Sequence, residues 1–77
     1  MTTREMRSTL TRFFGAMQWQ LSESDGLVLV EYHRTTSGGM ILWDEFACGK
    51  TVEKALMAAC RRTYEIVNQE RIEAATA

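Results

Sequence analysis

The segment Leu27 to Arg34, LVLVEYHR, leaves the chain least choice of local structure. Valine, leucine and tyrosine follow one another without a turn former, which favours an extended, pleated backbone. Alternation divides it into two faces, Leu27/Leu29/Glu31/His33 and Val28/Val30/Tyr32/Arg34. Both sets carry apolar residues, so the pattern alone does not say which one turns inward. Two weaker extended segments flank it. Gln18 to Ser22 places Trp19 and Leu21 on one side, and Met40 to Phe46 opposes Ile41 and Trp43 to Met40, Leu42 and Phe46. Ser24-Asp25-Gly26 supplies the first turn, and Thr35 to Gly39 the second.

Helical periodicity brackets these strands. Met6, Leu10, Phe13, Phe14 and Met17 fall on one face of a first helix. Thr2 and Glu5 have the spacing of a capping box at its start, and Gly15 weakens its end, between Gly15 and Met17. Thr51 is a good N-cap for a second helix, and Glu53 suits the positive end of its dipole. Val52, Ala55, Leu56, Ala59, Cys60, Thr63, Ile66 and Val67 line its apolar face, with Lys54, Arg61, Arg62, Glu65 and Gln69 opposite. This helix is expected to run to about Arg71.

The fold class that follows is α+β: helix, three-stranded antiparallel meander, helix (α-β-β-β-α), with both helices on one sheet face. The chain reads as one domain over 1–77, with frayed ends at 1–2 and 73–77. Its expected core joins Leu10, Phe13, Met17, Leu56, Ala59, Thr63 and Ile66. A 77-residue chain buries only about 60% of its unfolded surface. Two helices cover one side of such a sheet and little more. The other side then keeps part of the set Trp19, Leu27, Leu29, Ile41 and Trp43, or its counterpart in the alternate register.

A formal net charge of −1 argues against a strongly electrostatic nucleic-acid binder. The longest apolar run, Leu27 to Val30, is far shorter than a membrane span, and the first residues show no signal-peptide pattern. The expectation is a soluble cytoplasmic protein with no membrane association, in the host cytoplasm if a phage encodes it. Cys48 and Cys60 read as inert packing thiols.

No arrangement of residues supports catalysis. His33 is the single histidine, and the spacing of the two cysteines is not that of a zinc site. Asp44 and Glu45 are adjacent, so in a strand they face opposite sides and cannot act as an acid–base pair. Gly49-Lys50-Thr51 is similar to the end of a phosphate-binding loop, but Asp44 stands where that loop needs a glycine. A helix N-cap explains the tripeptide. Arg4, Arg7, Arg12, Arg61 and Arg62 suggest either a basic surface across two helices or ordinary solvated faces.

Phe46 to Leu56, FACGKTVEKAL, resembles the strand-to-helix junction of HicB-type antitoxins, over about a seventh of the chain. The element order is similar to that of a double-stranded RNA-binding domain, in which lysines opening the last helix grip phosphates. Here Lys50 and Lys54 stand near that position with Glu53 between them, so the resemblance implies the shape without RNA binding. In size and near-neutral charge the chain also resembles small accessory proteins of phages and mobile elements, many of which cover a host protein's surface.

The function expected is a non-enzymatic protein-binding module, an inhibitor or regulator that acts by covering a partner protein. Its interface would draw on Trp43, Ile41, Leu27, Leu29, His33 and Arg34. A homodimer is the simplest closed assembly. No cofactor, metal or small-molecule substrate is expected. The alternative is a nucleic-acid-binding regulator, antitoxin-like or like a double-stranded RNA-binding domain.

Overall fold

A computed structural model describes residues 1–76. The elements are α1 (Thr3–Phe14), β1 (Trp19–Ser24), β2 (Leu27–Thr35), β3 (Ile41–Gly49) and α2 (Val52–Thr76). The strands form one antiparallel sheet in the order β1-β2-β3. The fold is therefore the α-β-β-β-α meander that the sequence predicts.

Local chemistry sets the element ends. The Thr2 hydroxyl accepts from the Glu5 amide at 3.2 Å, and the Glu5 carboxylate accepts from the Thr2 amide at 3.1 Å. Two orphan donors of α1 are satisfied at once. Gly15, at φ 102°, stops this helix, and its amide donates to the Thr11 carbonyl. Asp25 and Gly26 both take positive φ, 53° and 76°, as a two-residue hairpin of type I′ requires. The Thr51 hydroxyl caps α2 by accepting from the Lys54 amide at 3.1 Å. α2 continues past Arg71 to Thr76, so 73–76 are helical where fraying is expected. Ala77 lies outside the described residues.

Both helices lie on the face of Val28, Val30 and Tyr32. Met6 and Leu10 of α1 and Ala55, Leu56 and Ala59 of α2 join Val28, Val30 and Phe46 in one buried cluster. Trp19 and Leu21 share this side because they pair with Tyr32 and Val30. The ring of Phe14 stacks on Tyr32, with centroids 5.6 Å apart. Thr63 is buried within the helix layer, and its hydroxyl donates to the Cys60 carbonyl at 2.7 Å.

The register of β3 contains a bulge that matters for everything on its far end. Val30 pairs with Ala47 and Glu31 with Glu45, so Phe46 has no partner on β2. An extra residue reverses the parity of the strand beyond it. Ile41, Trp43 and Glu45 point away from the helices, Phe46 packs into the core, and Cys48 again points away. Gly49 thereby faces α2. A Cβ there would stand 2.5 Å from the Ala55 nitrogen and 2.7 Å from the Lys54 carbonyl carbon.

Four expectations about the core change. Met17 is 89% exposed, because Gly15 ends α1 before Met17 can complete the helical stripe. Phe13 touches Phe14 and Phe46 but remains 38% exposed, at the edge of the cluster. Val52 and Val67 are also exposed, so the apolar face of α2 is wider than the part that packs on the sheet. Cys48 is exposed, turned outward by the bulge. Cys60 does pack: its thiol contacts the Met6 carbonyl at 3.5 Å, and burial raises its pKa.

Candidate functional site

With both helices on one side, the opposite face of the sheet has no layer over it. Strand alternation fixes its membership. β1 contributes Gln20, Ser22 and Ser24, β2 contributes Leu27, Leu29, Glu31, His33 and Thr35, and β3 contributes Ile41, Trp43, Glu45 and Cys48. Of the residues predicted to form an interface, Trp43, Ile41, Leu27, Leu29 and His33 lie here.

Arg34 does not. It follows His33 and so points to the helix side, at the end of the sheet beyond the helices, where it forms an ion pair with Asp44. The hydrogen bond to Asp44, and then its charge, hold the guanidinium above its ordinary pKa. Trp19 is also absent from the open face. Its indole lies under α1, with Nε1 donating to the Thr11 hydroxyl at 3.1 Å and the Arg7 guanidinium 6.0 Å from the ring.

The open face has two apolar ends and a polar waist. Gln20, Glu31 and Glu45 form a row across the three strands, with the Gln20 amide donating to Glu31 at 3.1 Å. On one side of this row lie Leu27, Leu29 and Cys48; the two leucines are half-buried by neighbouring strands. On the other side His33 pairs with Trp43 and Thr35 with Ile41. The His33 and Trp43 rings meet edge to face, with centroids 5.5 Å apart at 77°. Ile41 is 58% exposed and Trp43 37%, although each stands on a strand. β3 is also an edge strand, so one row of its backbone groups has no partner within the sheet.

The five arginines singled out do not all gather into one basic face: Arg12 and Arg61 stand between the helices, and Arg4, Arg7 and Arg62 do not join them. Arg7 lies over Trp19 on the β1 flank of α1, whereas Arg12 lies on the α2 flank. Arg62, expected among solvated residues, packs 4.6 Å from the Phe46 ring centre and donates to the Phe46 carbonyl. Gly49-Lys50-Thr51 serves packing and capping: the glycine admits the first turn of α2 and the threonine caps it. Among the described residues, no three histidine, cysteine or acidic side chains converge as a metal site would require. No helix among them is long and apolar enough to cross a membrane. No family model, curated protein or solved structure matches the chain.

Proposed function

We propose that this chain is a non-enzymatic protein-binding module that associates through the uncovered face of its sheet, with a second copy as the first partner. The observation that carries this reading is the cluster of Trp43 and Ile41 on the edge strand β3 with His33 beside them on β2, with no layer above it. Exposed apolar patches that contain an indole are typical centres of protein interfaces. The carboxylate row of Glu31 and Glu45 discourages contact across the middle of the face, so the Trp43 end is the anchor. One patch serves both partners in a two-fold dimer, which closes the assembly. The same face suits a regulator that works by covering another protein's surface, the mode of action of a small phage or mobile-element inhibitor.

Sedimentation at micromolar concentration tests this. The wild type is expected to dimerise, and Trp43→Glu and Ile41→Glu are expected to give folded monomers. Two variants are needed because Trp43 contributes more to the sheet than Ile41 does. A wild type that stays monomeric, or an Ile41→Glu variant that dimerises as well as wild type, would rule out this interface.

A further inference from the structure

A second surface, independent of the sheet, lies between the helices. A groove of about 570 Å³ runs between α1 and α2. Phe13 from α1 and Tyr64 and Val67 from α2 supply its apolar surface. Arg12, Arg61 and Arg71 stand around it, and no aspartate or glutamate lines it. Among the described residues none of these arginines forms an ion pair.

The α2 wall has a specific periodicity. Cys60, Tyr64, Val67 and Arg71 follow one another at spacings of four, three and four. Cys60 is its inner edge against the core, whereas Tyr64 is 68% exposed and Val67 36%. A partly exposed stripe at this spacing is how one helix receives another. Arg61 and Arg71 are ten residues apart, about 15 Å along the axis at 1.5 Å per residue, which is the length of roughly three turns. The charge selects the partner. A second copy docked by two-fold symmetry would set arginines against arginines, whereas a helix flanked by carboxylates would neutralise them.

We propose that this groove receives an amphipathic helix from a different protein, with an apolar stripe at heptad spacing flanked by glutamate or aspartate. Binding is helix-in-groove, with Tyr64 and Phe13 as apolar contacts and the three arginines fixing sign and orientation.

The test uses the full chain, labelled with ¹⁵N, and a synthetic helical peptide carrying leucine at heptad core positions and glutamate beside them. A matched peptide with lysine for glutamate and a single-stranded oligoadenylate are the comparison probes. The glutamate peptide is expected to shift amides around Phe13, Tyr64 and Val67. Its affinity is expected to fall about tenfold or more in an Arg61→Glu/Arg71→Glu double variant, the loss of one or more charge-pair couplings. Tyr64→Glu, at an exposed site, should melt as wild type does and fail to bind. Trp43→Glu should leave peptide binding unchanged, which separates this site from the sheet face. The proposal is overturned if the glutamate peptide does not bind, if the lysine peptide binds equally, or if the shifts map to the sheet. It is also overturned if oligoadenylate shifts the groove amides instead, or if Tyr64→Glu abolishes a dimer of the chain.

Discussion

The guanidinium of Arg62 lies over the ring of Phe46, 4.6 Å from its centre, and donates a hydrogen bond to the carbonyl of the same residue. Phe46 is the bulged residue of β3, with no partner on β2. A helix side chain thus satisfies a backbone acceptor at the one place where the ladder is interrupted.

Arg62→Ala should therefore destabilise the protein by about 1–3 kcal/mol, through an unsatisfied carbonyl and a lost cation–π contact. Arg61→Ala, one residue earlier and facing the groove, should change stability by no more than about 0.5 kcal/mol. Urea unfolding of the two variants checks the contrast, and equal midpoints would contradict it.

Leu56→Ala and Phe13→Ala should differ as well. Leu56 is fully buried, so its truncation leaves a cavity and should cost about 2–5 kcal/mol, enough to unfold a domain this small. Phe13 sits at the cluster's edge, and solvent fills the space its ring vacates. Its truncation should leave a folded protein with a lowered midpoint. Thermal melts monitored by circular dichroism decide between these outcomes.

Gly49→Ala tests the approach of α2 to the sheet. The new methyl would meet backbone atoms of Lys54 and Ala55, which cannot rotate away. A displacement of the first turn of α2, with a loss of about 1–3 kcal/mol, is expected. Gly26→Ala provides the comparison: nothing crowds its Cβ, and its cost comes from the positive φ alone. Amide shifts should spread into α2 for the first variant and stay within the β1–β2 turn for the second.

The Glu5 carboxylate gives a pH dependence of known sign. Hydrogen bonding to Thr2, first from its amide and then at its side chain, holds its pKa below the ordinary carboxylate value. A depressed folded pKa gives stability that is present above the unfolded value and lost as pH falls through the folded one. Glu5→Gln keeps a neutral acceptor at the cap. Its stability should fall less steeply than wild type on acidification through the carboxylate range. Urea midpoints measured across that range provide the check, and parallel curves would exclude the effect.

The sequence by itself determined the elements and their order. The Thr2/Glu5 box, the Asp25-Gly26 turn, the Thr51 cap and the run LVLVEYHR act within a few residues, so their outcome does not depend on the rest of the fold. Tertiary structure decided which face each side chain serves. Val28/Val30 and Leu27/Leu29 are equally apolar, and only the docking of α1 and α2 on the former leaves the latter open. The bulge at Phe46 then sends Cys48 outward and Gly49 inward, against the simple alternation that makes Cys48 a packing thiol. The groove between the helices was equally hidden, because Arg12 and Arg71 are 59 residues apart in the chain and meet only when α1 lies beside α2. Local pattern fixes what a segment becomes. Which side it presents depends on contacts between distant segments, and a chain with two apolar faces does not encode that choice locally.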